Sequence, residues 1–172
     1  MKHHESLLSS DKLDQLAQLA RNTPNGPLIE VGVYCGGSAE VLYEIAMTEG
    51  RALYLYDTFT GIPFACEDDS HKVGDFAEGL TLDQAREVFP GAIVQDGIFP
   101  RSQAIPARIA FVHLDCDQYQ SYRESLDKLV PLMMSGGVIL CDDYCLKGAA
   151  KAIDETQGDK RPLADGRIYF QF

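Results

Sequence analysis

Short apolar runs, each closed by an acidic residue or a glycine, alternate along this chain with segments of helical period. The runs are Leu28-Ile29-Glu30-Val31 before Gly32, Ala52 to Tyr56 before Asp57, and Ala92 to Gln95 before Asp96. They continue with Ile109 to Leu114 before Asp115, and Val138 to Cys141 before Asp142-Asp143. Runs this short and this continuously apolar read as strands buried on both faces, which is the character of a parallel sheet covered by crossover helices. The intervening segments fit that role. Leu13, Leu16, Ala17 and Ala20 recur at helical spacing after Ser10, an expected N-cap. Further helices are expected from Ser38 to about Met47, from Thr81 to about Phe89, after the capping-box pattern Ser121 to Glu124, and from about Lys147 to Thr156. Gly136-Gly137 reads as the turn into the fifth strand, and Asp165-Gly166 as a hairpin turn before Arg167 to Phe172.

The expected fold is therefore α/β: a Rossmann-like, doubly wound, seven-stranded sheet, mostly parallel, with a C-terminal antiparallel hairpin. The whole of residues 1–172 reads as a single domain, with an N-terminal helix within 1–27 and a long loop or lid at 58–80. A loop of that length is usually functional.

In such sheets ligands sit at the carboxyl ends of the strands, where this chain places its acidic residues. An aspartate there can simply cap the next helix. That reading covers any one of them, but not Asp115-Cys116-Asp117 and Asp142-Asp143 together. The first turn has the spacing E-x-G-x-x-x-G-x-S from Glu30 to Ser38. The G-x-G-x-x-G of dinucleotide-binding proteins fails, because Tyr34 occupies the second glycine position.

A net charge of -11 makes nucleic acid and anionic membranes poor partners and favours cations. Five cysteines without a C-x-x-C pair argue against a disulfide framework or a zinc site and fit a reducing cytoplasm. No apolar run is long enough to span a bilayer. His3 and His4 are too few to distinguish a tag remnant from native sequence.

Taken in order, several stretches resemble the macrocin O-methyltransferase family of class I S-adenosylmethionine methyltransferases. They are Ile29 to Gly32 with Gly36 and Ser38, Tyr56 to Pro63, Gln95 to Pro100, His113 to Ser121, and Gly136 to Tyr144. The resemblance implies a methyl transfer to the hydroxyl of a small molecule such as a sugar or natural product, using S-adenosylmethionine and a divalent cation, Mg²⁺ foremost. It implies that Glu30, Gly32, Tyr34, Gly36 and Ser38 hold the methionine end of the cofactor. Asp57, with Thr58 and Phe59, would hold the ribose, and Asp96 with Gly97 would adjoin the adenine. Asp115 would lie at the reacting centre as cofactor contact and general base. Asp117, Asp142 and Asp143 would ligate the metal through oxygens. Asp115 could instead be a metal ligand, as in catechol-type relatives.

Tyr119 and Tyr144 adjoin these motifs and are candidates to line the substrate site. His113, inside an apolar run, reads as a core histidine with a partner, and His71 as a loop residue able to meet substrate. Glu67-Asp68-Asp69 reads as a solvated face. Family members carry more N-terminal helix and a larger lid, so the pocket could be open or completed by a second subunit in a homo-oligomer. Rival readings are a metal-dependent phosphohydrolase built on Asp115-Cys116-Asp117, a nicotinamide-dependent oxidoreductase, and a non-catalytic protein that binds cofactor or metal.

Overall fold

The computed structural model describes residues 6–101 and 104–172. His3 and His4 lie outside the described residues.

Seven strands form one sheet in the order β3-β2-β1-β4-β5-β7-β6. Strands β1 (Leu28–Val31), β2 (Leu53–Asp57), β3 (Ile93–Asp96), β4 (Ile109–Leu114) and β5 (Met133–Cys141) run parallel. Strands β6 (Asp159–Pro162) and β7 (Ile168–Gln171) form an antiparallel hairpin whose inner strand, β7, pairs with β5. The strand order reverses between β1 and β4, so the crevice outside their carboxyl ends is the place where such a sheet binds ligands.

Alternation along each strand feeds two cores. Leu28, Leu53, Leu55, Phe111 and Leu140 face helices α1 (Ser10–Arg21), α2 (Gly37–Glu49) and α3 (Leu82–Val88). Ile29, Tyr56, Val112 and Ile139 face α4 (Tyr119–Leu129) and α5 (Lys147–Glu155). Burying apolar side chains on both faces is what makes each strand read as an unbroken apolar run.

Three local expectations are corrected. The N-cap of α1 is Ser9, whose hydroxyl accepts from Lys12 N, so Ser10 is already helical. The pattern at 121–124 is not a capping box: α4 begins earlier, at Tyr119, and Ser121 is buried on its inner face. Gln118 at the N-cap of α4 makes no capping bond, and Asp69 of the long loop supplies it instead, accepting from Tyr119 N at 2.8 Å. Gly136 and Gly137 lie inside β5 rather than before it. The β4–β5 register shifts between Ile109 and Phe111, and Gly136 takes φ +83. Thr81 and Gln84 do form the expected capping box of α3.

No helix among the described residues is long and apolar enough to cross a membrane.

Candidate active site

At the end of β1 the backbone must turn over the end of β4. Gly32, at φ +95, lies so close to the Asp115 carbonyl that a Cβ there would overlap it. Tyr34 (φ 47), Phe59 (φ 51) and Asp117 (φ 58) also adopt left-handed backbone, in the turns after β1, β2 and β4. Non-glycine residues held in that conformation cost free energy and mark functional turns.

The Asp57 carboxylate organises this edge. Its Oδ2 accepts from Val33 N at 2.6 Å and Tyr34 N at 3.1 Å, and its Oδ1 accepts from Phe59 N at 2.7 Å. One carboxylate thus ties the turn after β1 to the turn after β2. Gly97 N donates to the Asp57 carbonyl and brings the turn after β3 alongside.

These turns surround a cleft of about 150 Å³. Its walls include Gly32, Tyr34, Ser38, Asp57, Thr58, Gly97, Asp115 and Asp117. The N-terminal segment adds Ser6, Leu7 and Leu8, and the long loop adds Ile62, Pro63 and Phe76. Gly36 is not on the wall. It serves as the N-cap of α2 at φ +88, against Phe89 and Leu80. Phe59 packs into the core on the α2 side, and Asp96, which ends β3, lies outside the lining.

Glu30 lies beneath the cleft, fully buried. It is the register partner of His113 across the β1–β4 ladder, so the two side chains share a face of the sheet. His113 Nδ1 and Glu30 Oε1 are 2.8 Å apart. On β5, Leu140 is the next register partner, and two residues on, Asp142 points to the same side. His113 Nε2 stands 3.7 Å from Asp142 Oδ1. Burial would lower the His113 pKa, but Asp142 and Glu30 outweigh it and hold the imidazole up at about 10. The expected core histidine thus has Glu30 as its hydrogen-bonding partner and Asp142 facing its other ring nitrogen.

Asp142 has two further cations that sequence reasoning missed. Lys12 Nζ of α1 lies 3.3 Å from Oδ2, and Arg167 Nη1 lies 3.1 Å from Oδ1. Desolvation raises the Asp142 pKa, yet His113, Lys12 and Arg167 together hold it well below the usual carboxylate range. Asp143, of opposite parity, faces α4. The Tyr122 hydroxyl sits 2.9 Å from its Oδ2, and Asp117 N donates to that oxygen at 3.0 Å. Desolvation, then the charge of Asp117, pushes Asp143 up to about 7. Asp117 is raised to about 6 by desolvation and by Asp142 and Asp69. Asp115 is pushed well above the usual range by desolvation and then by Asp143, with His113 pulling the other way.

One carboxylate oxygen from each of Asp115, Asp142 and Asp143 lies within 4.8 Å of the others. Asp117 is beside this group but turned to the loop, where His71 Nε2 is 3.6 Å from its Oδ1. Tyr119 and Tyr144 are not on the cleft wall. Their hydroxyls meet Glu155 and Asp154 on α5. Tyr119, at the first position of α4, is half-buried against the core on the α4–α5 side, while Ser121, Tyr122 and Ser125 are buried on the helix's inner face.

The loop at 58–80 is fastened over this edge. Asp69 caps α4, Asp68 pairs with Lys147 and Lys151 of α5, and Phe76 packs edge-on against Tyr34 at 5.5 Å. Glu67-Asp68-Asp69 is therefore not simply a solvated face: Asp68 and Asp69 are the fastenings.

Comparison with known proteins places this geometry. The family model described as Macrocin-O-methyltransferase (TylF) matches residues 5–165. The chain is 29% identical over 160 residues to 8-demethyl-8-(2,3-dimethoxy-alpha-L-rhamnosyl)-tetracenomycin-C 4'-O-methyltransferase of Streptomyces olivaceus, covering 81% of this chain and 60% of that one. It is 27% identical over 172 residues to demethyldecarbamoylnovobiocin O-methyltransferase of Streptomyces niveus, covering 87% and 64%. It thus spans less than two thirds of the length of these relatives. The solved structure of the O-methyltransferase NovP superposes with a TM-score of 0.80 at 21% identity, covering 96% of this chain and 81% of that one. On the match to its family model, the chain belongs to the macrocin O-methyltransferase family, built on the class I methyltransferase fold.

Proposed function

We propose that this chain transfers the methyl group of S-adenosylmethionine to a hydroxyl of a small molecule, of the sugar or natural-product kind, with help from a divalent cation. The observation that carries the reading is the meeting of two assemblies at Asp115: the cleft whose turns Asp57 organises, lined also by Asp115 and Asp117, and the carboxylate group in which Asp142 and Asp143 stand beside Asp115. Both named relatives are O-methyltransferases, and one carries a rhamnosyl group in its substrate name.

In this reading the backbone around Gly32 and Tyr34, with Ser38 near by, receives the methionine end. Asp57 exchanges some of its amide partners for ribose hydroxyls. The turn at Gly97 receives the base, with Asp96 at its edge. Three hard carboxylate oxygens near one another suit Mg²⁺. That proximity supports Asp115 as a ligand beside Asp142 and Asp143, and leaves Asp117 on the cleft wall to take the proton. A bound cation would supply acidity to the acceptor hydroxyl. The chain's own residues align that oxygen with the sulfonium methyl, which is already activated. A carbon–oxygen bond forms, the carbon–sulfur bond breaks to leave S-adenosylhomocysteine, and the hydroxyl proton passes to a carboxylate.

The acceptor's occupancy of the open side between Leu7, Ile62 and Phe76, a cytoplasmic setting, and assembly with a second copy are further parts of this reading. The test is calorimetric titration with S-adenosylhomocysteine, with and without Mg²⁺, followed by methyl transfer to a panel of glycosylated acceptors with chelator as control. Binding of the cofactor product with chelator-sensitive turnover supports the proposal. A folded protein that binds no S-adenosylhomocysteine at millimolar concentration overturns it.

A further inference from the structure

Asp142 is the one member of the carboxylate group whose two oxygens already face cations of the protein. Arg167 cannot leave. Its guanidinium is 1% exposed, and it also donates to Asp165 Oδ2 at 2.8 Å and to the Lys12 carbonyl at 3.0 Å. His113 cannot leave either: it is fully buried, with Nδ1 against Glu30, and its Nε2 has no hydrogen-bond partner. Lys12 differs from both. Its side chain is 27% exposed, and its amine meets Asp142 Oδ2 at 3.3 Å. Its backbone is nevertheless fixed at both ends, because its N–H donates to Ser9 Oγ and its carbonyl accepts from Arg167. The amine is therefore a hydrated point charge on a flexible stem whose root does not move.

We propose that Lys12 is a displaceable countercation for Asp142: its amine neutralises the carboxylate until a divalent cation takes that oxygen, and it thereby sets the affinity of the site for metal. This inference rests on the metal reading above. Neutral surroundings for the buried carboxylate without metal, and a removable charge when metal arrives, follow from one side chain. The residue controls which cations compete successfully, since each must replace an ammonium ion already in place.

The experiment titrates Mn²⁺ into the full chain by calorimetry and by the electron paramagnetic resonance of free Mn²⁺, using wild type, Lys12→Met, Lys12→Arg and Asp142→Asn. Lys12→Met removes the competitor and should tighten Mn²⁺ binding about tenfold, the effect of one positive charge withdrawn from a poorly screened site. Lys12→Arg, whose planar fork grips a carboxylate through two bonds, should weaken it. Asp142→Asn should abolish it. Mn²⁺ should also raise the rate at which an amine-selective acylating reagent labels Lys12 in the wild type, read by mass spectrometry. Equal Mn²⁺ affinity in wild type and Lys12→Met overturns the countercation role while leaving the metal site standing. Failure of both proteins to bind Mn²⁺ at millimolar concentration overturns the metal reading and this inference with it.

Discussion

The two ends of the sheet each bury an arginine, and they do so in opposite ways. At the amino ends of the strands, Arg51 is 5% exposed and spends its donors on the carbonyls of Gly26, Ala20 and Pro24, the Thr23 hydroxyl and the Glu49 carboxylate. Its role is to close the chain between α1 and β1. At the carboxyl ends, Arg167 answers Asp142, yet Asp115, Asp117 and Asp143 remain crowded beside it, all with raised pKa values. One end is a satisfied polar network, which rigidifies. The other keeps buried like charges, which cost stability and are kept where chemistry needs them. The difference separates the end that holds the fold from the end that works.

Removing Arg51 should have the largest effect on stability and none on ligand binding. Arg51→Met leaves several buried carbonyls without donors and should cost about 3 kcal/mol in urea unfolding. Its affinity for S-adenosylhomocysteine should match the wild type, and a large loss of affinity would erase the proposed division of labour. Asp57→Ala should do the reverse: a loss of about a hundredfold in S-adenosylhomocysteine affinity, equivalent to about 2.7 kcal/mol, since the turns after β1 and β2 lose their common anchor. An unchanged dissociation constant would remove Asp57 from the site.

The carboxyl end should also give the chelated protein a pH dependence. Asp143 and Asp117 are raised to about 7 and about 6, while an unfolded aspartate titrates near 3.9. The folded state thus holds these protons more tightly. The penalty for ionising them is absent at low pH and complete above about 7. His113 has the same sign over a higher window: its contribution is full below about 6.5 and is lost as pH rises through about 10. Lowering the pH from 8 to 5.5 should therefore raise the melting temperature by about 5 °C with chelator present. Saturating Mg²⁺ should flatten the slope, and a flat profile in chelator would mean the carboxylates are not strained against one another.

The smallest effect sharpens the role of the long loop. Asp69→Ala removes the cap of α4 and should cost about 1 kcal/mol while speeding proteolysis within residues 58–80. Asp68→Ala, whose partners Lys147 and Lys151 are 78% and 50% exposed, should change stability immeasurably. Equal effects of the two would show that the fastening is not the cap.

Much of this was legible beforehand. The apolar runs predict the five parallel strands to within a residue or two, except that β5 starts at Met133, because its first turns carry glycines and a register shift that break the pattern. The acidic strand ends locate the working edge. Asp165-Gly166 marks the final hairpin. The pairing of Glu30 with His113 could have been found from register alone, had the β1–β4 neighbourhood been known. The inward turn of Ser121 and the packing of Tyr119 toward α5 could not, since they go with a helix start capped by Asp69, fifty residues earlier.

Local order was thus a property of the sequence: periodicity and turn residues fix which segments are strands and helices, and the type of residue at each strand end fixes what chemistry the edge can support. Which carboxylates are neutralised, which are crowded and which face the cleft was decided only by tertiary structure. Lys12, Asp142 and Arg167 lie at the two extremes of the chain and in between, and their meeting depends on α1 and the β6–β7 hairpin converging on β5. Electrostatic energy depends on distance in space and on burial, and neither is written in the order of residues.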